Sequence, residues 1–227
     1  MPTLEMTARL TPPVSPMANP RFKADYDHEA AAAARGLAPV CGIDEAGRGP
    51  WAGPVVAAAV ILRPGDIPPG LADSKTLSRA RREALFARLS EVAVIGVGRA
   101  EVVEIDRYNV LAATMLAMAR AVAGLATAPA HALVDGNCAP DLPCGMECLI
   151  KGDACCLSIA AASIVAKVTR DREMAALAER FPGFGWERNA GYGTAEHGAA
   201  LARLGPNEMH RRSFAPIRKL LEFSLSG

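Results

Sequence analysis

The chain lacks a charge of one sign. Its 25 Lys and Arg nearly balance its 24 Asp and Glu, for a formal net charge of +1. Any contact with nucleic acid must therefore come from a local patch, because the chain as a whole is not basic. It lacks an apolar run long enough to span a bilayer and a repeat that would indicate stacked modules. No H-E-x-x-H pattern appears among its four histidines, which removes the usual zinc-peptidase arrangement. Its six cysteines, at 41, 138, 144, 148, 155 and 156, form neither a metal-finger spacing nor an evident paired framework. No signal-peptide pattern opens the chain, and the first segment is not the Arg-rich, acid-poor kind that directs proteins to organelles. The expectation is a cytoplasmic protein with free thiols. Nothing demands a partner chain, so a monomer is expected.

What is present is apolar material. Residues of that class make up 51% of the 227, enough for one large domain with a sizeable core. Residues 1–38 read as a mobile N-terminal extension: Pro12, Pro13, Pro16 and Pro20 oppose regular structure, with a short helix allowed in the alanine run 30–34. Residues 39–227 read as the folded domain, with a helical C-terminal part. Two apolar runs flank a glycine-rich turn, and Val92–Val97 reads as a third strand. Ser78 is suited to cap a helix, and Ile105, Tyr108, Leu111, Met115, Met118 and Val122 recur at helical spacing up to Gly124. Ala132–Val134 reads as a strand ending at Asp135, and Glu147–Lys151 as another closing on Asp153. A long helix follows from Leu157 to the Phe181-Pro182-Gly183 stop, then a shorter one near Ala195–Leu204 and a basic tail. Antiparallel strands first, then alternating helices and strands, imply an α/β fold with a mixed sheet.

The organising stretch is Val40–Leu62, V-C-G-I-D-E-A-G-R-G-P-W-A-G-P-V-V-A-A-A-V-I-L. An apolar run stops at two adjacent acids, Asp44 and Glu45. Neighbouring strand residues point to opposite faces, so two acids acting together call for a strand end or a bulge. The glycine spacing after them does not make a dinucleotide loop. That loop needs a helix to start at once, whereas Pro50 and Pro54 intervene and a β-branched run follows. Asp135 and Asp153 also stand where apolar runs end. Four acids gathered at sheet ends repel one another unless a cation sits among them. Hard oxygen donors suit magnesium or manganese. A pair of such ions about 4 Å apart is the usual apparatus for in-line displacement at phosphorus. Arg48 between two glycines, Tyr192 between Gly191 and Gly193, and Lys75 then read as contacts to a phosphodiester substrate. Lys167, Arg170, Arg211, Arg212, Arg218 and Lys219 are further cations able to follow a nucleic-acid backbone.

These pieces, in this order, resemble bacterial ribonuclease HII, the type 2 ribonuclease H. They are G-I-D-E-A-G-R-G-P at 42–50, D-S-K-x-L-S at 73–78, V-D-G-N at 134–137 and K-G-D at 151–153. They continue with S-I-A-A-A-S-I-V-A-K-V-T-R-D at 158–171, G-Y-G-T at 191–194 and H-R-x-S-F at 210–214. The resemblance implies a ribonuclease H-like three-layer fold, a central mixed β-sheet flanked by helices, with a helical C-terminal portion. It implies metal-dependent cleavage of RNA in RNA–DNA hybrids, including single ribonucleotides embedded in duplex DNA. The cut falls on the 5′ side of the ribonucleotide and leaves a 3′-hydroxyl and a 5′-phosphate. It places the metal-binding acids at Asp44, Glu45, Asp135 and Asp153, with Asp171 a nearby alternative for the fourth. It assigns Gly47, Arg48 and Gly49 to the 2′-hydroxyl at the RNA–DNA junction and Tyr192 to the junction sugar. Two other classes remain open at this stage: a DNA-directed nuclease of the same fold, and a hybrid-binding module without activity.

Overall fold

The run Val55–Ile61 is buried along its whole length, so it must be covered on both faces. The computed structural model, which describes residues 24–225, shows how. In chain order its elements are α1 (Asp27–Ala34), β1 (Val40–Ala46), β2 (Val55–Ile61), α2 (Arg79–Val92), β3 (Val94–Ala100), α3 (Val102–Tyr108) and α4 (Val110–Ala123). They continue with β4 (His131–Asp135), β5 (Gly145–Leu149), α5 (Leu157–Arg180), α6 (Trp186–Asn189), α7 (Ala195–Leu204) and α8 (Ala215–Leu225). The five strands form one sheet in the order β3-β2-β1-β4-β5. β2 is antiparallel to β1 and β3, while β4 is parallel to β1 and β5. The expected mixed sheet between helical layers is what forms.

Alternation along β2 feeds two cores. Val55, Ala57, Ala59 and Ile61 pack with Ala113, Ala117, Met118 and Ala121 of α4. Ala58 and Val60 pack with Ala160, Ala161, Ile164 and Val165 of α5, and with Leu85 and Leu89 of α2. A third core joins Met174 at the far half of α5 to Phe184, Trp186, Leu201 and Ile217, making the helical C-terminal portion. The methionines of α4 are thus core residues. Among the described residues no helix is long and apolar enough to cross a membrane.

α5 lies unusually close to β1, and Gly42 permits it. A Cβ at Gly42 would fall 2.2 Å from the backbone carbon of Ser158 and 2.3 Å from the Ile159 nitrogen. Gly42→Ala is therefore expected to destabilise the protein by about 1–3 kcal/mol through overpacking against backbone that cannot yield. The urea midpoint checks this.

Several expectations are corrected. Residues 1–23 of the expected extension lie outside the described residues, and from Ala24 the chain packs on the domain. The backbone of Asp25 bridges Cys156, and α1 buries Glu29 and Ala32. The described fold thus begins before Pro39. The stretch up to Gly124, expected as one or two helices, is two, split where Asn109 takes φ 72° and its side chain caps the first amides of α4. β3 starts two residues and ends three residues later than expected, and β5 lies two residues earlier, because the tertiary pairing sets strand ends.

Candidate active site

β1 and β4 pair in parallel from Val40↔His131 to Ile43↔Val134. The next residue on each strand is an acid, Asp44 and Asp135. The two therefore stand side by side where the parallel pairing ends, and matched register puts them on one face. No bulge is needed. β1 continues in regular pairing with β2 as far as Ala46↔Val56, and the break lies on its other edge, where β4 stops. Asp153 arrives from the 3-10 turn Gly152–Ala154 that precedes α5. One carboxylate oxygen from each of Asp44, Asp135 and Asp153 lies within 4.8 Å of the others. Backbone amides hold two of them. The Glu45 N–H donates to Asp44 Oδ1 at 2.7 Å, and the Gly152 N–H donates to Asp135 Oδ1 at 2.7 Å.

This arrangement is electrostatically expensive. Burial, then Glu45 and Asp135, raise the Asp44 pKa well above the carboxylate range. Burial, then Asp73 and Asp135, push Asp153 up to about 6. Burial raises Glu45 too, with the Arg48 guanidinium opposing. The Lys75 ammonium lies 3.8 Å from Asp153 and is 79% exposed along its side chain. Burial works against that charge, but Asp73, Asp44, Asp153 and Asp135 outweigh it and raise its pKa. The donor set is oxygen only, convergent and under-compensated. That fits a hard divalent cation.

Beside the acids lies a cleft of about 340 Å³ lined by Glu45, Gly47, Arg48, Gly49, Lys75 and Tyr192, among others. Arg48 Nη1 donates to Glu45 Oε1 at 3.3 Å. The Tyr192 ring is 45% exposed, and its Cε1 is 3.5 Å from where a Gly49 Cβ would sit. The two loops are sewn together by the Trp51 N–H donating to Gly191 O at 2.8 Å.

Two buried arginines set the shape of this loop. Arg170 and Arg211 are 1% and 0% exposed. Arg211 donates to the carbonyls of Gly47 (2.6 Å), Arg48 (3.0 Å), Gly53 (2.8 and 3.0 Å) and Pro54 (3.2 Å). Arg170 donates to Pro54 O (2.9 Å), Ala52 O (3.1 Å) and Ala190 O (3.0 Å). In a trans peptide the C=O and the following N–H point in opposite directions. With the Gly47 and Arg48 carbonyls turned to Arg211, the amides of Arg48 and Gly49 face the other way. Gly47, at φ 98°, also leaves the space that Arg170 fills, since a Cβ there would meet Arg170 Nε at 2.0 Å. Burial lowers the pKa of Arg170 to about 10 and of Arg211 to about 9, so both remain charged at neutral pH.

A family model described as Ribonuclease HII matches residues 41–217. The chain belongs to the ribonuclease HII family. It is 64% identical over 183 residues to the ribonuclease HII of Parvibaculum lavamentivorans, covering 80% of this chain and 68% of that one. It is 60% identical over 188 residues to the ribonuclease HII of Paramagnetospirillum magneticum, covering 81% and 94%. Among solved structures it resembles ribonuclease H2 from Pyrococcus horikoshii OT3, with a TM-score of 0.69 and 29% identity over 83% of this chain and 99% of that one. As a ribonuclease HII family member the protein is a ribonuclease H, a hydrolase acting on the RNA of RNA–DNA hybrids.

Within this ribonuclease HII fold, Asp44, Asp135 and Asp153 come together, while Glu45, Lys75 and the Gly47–Gly49 loop border the same cleft with Tyr192. Asp171 does not join them. Lys167 holds it at 2.7 Å, in a neighbouring cleft lined by Arg79, Arg82 and Arg188. Arg170 and Arg211 do not follow a nucleic-acid backbone. Their side chains are interior struts, and no sequence pattern marks an arginine as buried. Arg212 is tied at its backbone, its N–H donating to Asp106 Oδ2 at 3.0 Å.

Proposed function

We propose that the protein cleaves the phosphodiester on the 5′ side of a ribonucleotide, in hybrids and at a lone ribonucleotide in duplex DNA, leaving a 3′-hydroxyl and a 5′-phosphate. The observation that carries this reading is the three-acid cluster beside a cleft lined by its neighbour Glu45, Lys75, the Gly47–Gly49 loop and Tyr192. Asp44, Asp135 and Asp153, with Glu45 at the rim, would hold Mg²⁺ or Mn²⁺, in a two-ion arrangement. Bound there, such ions would supply activation of the attacking water and stabilisation of charge on the leaving 3′ oxygen.

The chain's own residues do the rest. The outward amides of Arg48 and Gly49 offer donors to a ribose 2′-hydroxyl, the group that separates RNA from DNA at a given position. Tyr192 offers an aromatic face to the sugar at the junction. Lys75, beside Asp153, meets the phosphate with a mobile charge. Arg48 keeps Glu45 oriented at the cleft.

Product chemistry tests the proposal. The upstream fragment from a duplex with one ribonucleotide should carry a 3′-hydroxyl that a DNA polymerase extends directly. A 2′,3′-cyclic phosphate end would refute it, since that product needs the 2′-hydroxyl as nucleophile. Tyr192→Ala is expected to lower kcat/KM on a lone ribonucleotide roughly tenfold to a hundredfold, the range of one stacking contact. Its urea midpoint should stay near the parent's, because the ring is half-exposed. Unchanged kcat/KM would remove Tyr192 from the site.

A further inference from the structure

Glu29 on α1 lies outside the residues matched by the family model, yet it reaches the segment that carries Asp153. Its residue is 1% exposed. Glu29 Oε1 accepts the Ser158 N–H at 2.6 Å and the Cys156 thiol at 3.2 Å. Its Oε2 is buried with no hydrogen-bond partner. A carboxylate in such a place is costly unless something compensates it. Here the compensation is the start of the 24-residue α5, where unpaired amides and the helix dipole favour negative charge.

The clamped segment runs without a break into the acid cluster. The Cys156 and Cys155 N–H groups donate to Gly152 O at 2.8 and 3.1 Å. The Gly152 N–H donates to Asp135 Oδ1 at 2.7 Å, and Asp153 is the next residue. Asp25 brackets the same turn from the other side, donating its N–H to Cys155 O at 3.3 Å and accepting the Leu157 N–H at 3.0 Å. The acids repel one another, so their separation holds only while the backbone under them is fixed.

We infer that Glu29 is a positioning residue for the acid cluster: by clamping residues 156–158 it holds the Gly152 amide on Asp135 and keeps Asp153 within reach of Asp44 and Asp135. The inference rests on the reading of those acids as a metal site. A charged group supplied by α1 thus sets metal affinity from outside the cleft.

The test is calorimetric titration of the full chain with Mn²⁺, without nucleic acid, alongside thermal melting in chelator. Glu29→Ala is expected to weaken Mn²⁺ binding roughly tenfold to a hundredfold, as loss of a group supporting metal ligands does. Glu29→Gln keeps an oxygen acceptor for the Ser158 N–H, and should fold and bind Mn²⁺ with an affinity between those of the parent and Glu29→Ala. Mn²⁺ affinity equal to the parent's in Glu29→Gln, with only a lowered Tm, would overturn the inference and leave Glu29 as a helix cap. Asp44→Asn is the control. If it binds Mn²⁺ as the parent does, the metal reading of the acids fails, and the Glu29 inference falls with it.

Discussion

Asp44→Asn is expected to lower the cleavage rate by roughly a thousandfold or more in Mg²⁺ or Mn²⁺, the scale of losing metal-borne charge stabilisation. Hybrid binding in chelator should survive. The substitution removes one charge and almost no volume. Asp44 is 4% exposed, accepts the Glu45 N–H and contributes an oxygen to the three-acid group. It is also the acid most strained by burial, with Glu45 and Asp135 adding to its burden. The same variant should therefore melt at a higher temperature than the parent in chelator at pH 7, because a neutral amide escapes the cost of burying that carboxylate beside two others. Added metal should raise the parent's Tm and leave the variant's nearly unmoved. A variant that is more stable without metal and inactive with it separates a ligand role from a packing role. Normal cleavage by Asp44→Asn, with metal present, would remove Asp44 from the site.

The second large effect is at Arg211. Arg211→Met should destabilise the protein by about 3 kcal/mol or more, since several buried carbonyls lose their donor together and each unsatisfied group costs about 1–3 kcal/mol. Arg211→Lys keeps the charge and loses the planar fork that spans Gly47, Arg48, Gly53 and Pro54. It should fold, with reduced stability, and lose discrimination between a ribonucleotide and a deoxyribonucleotide in kcat/KM, because the Arg48 and Gly49 amides no longer have an enforced direction. Its Mn²⁺ affinity should match the parent's, as Arg211 touches none of the clustered acids. A stable Arg211→Lys enzyme with unchanged discrimination would show that the loop holds its shape unaided.

Much of the candidate site was legible because its chemistry is local. Adjacent acids after an apolar run, an arginine between glycines and an acid at each later strand end are visible one window at a time. The sheet itself follows from the order of apolar runs. What was not legible depends on partners far along the chain. An arginine in a polar stretch reads as solvated charge, and only the folded backbone shows Arg170 and Arg211 turned inward onto carbonyls more than a hundred residues away. Glu29 sits in an alanine-rich stretch with a low helical periodicity of its own, so nothing local marks it as buried beneath α5. Asp135 stands at a strand end, as its sequence context suggested, but its juxtaposition with Asp44 needed the parallel register of β1 and β4. Glu45 adjoins Asp44 in sequence, yet in the structure it bonds to Arg48 at the cleft's rim and stands outside the tight oxygen group.

The central claim is that one cleft joins a metal-binding acid cluster to a loop that senses the 2′-hydroxyl. The most direct measurement uses two labelled DNA duplexes of the same sequence, one carrying a single ribonucleotide, each incubated with Mg²⁺, Mn²⁺ or chelator. One cut is expected, on the 5′ side of the ribonucleotide, in the first duplex only and only with metal. Equal cutting of the all-DNA duplex, or cutting that persists in chelator, would contradict it.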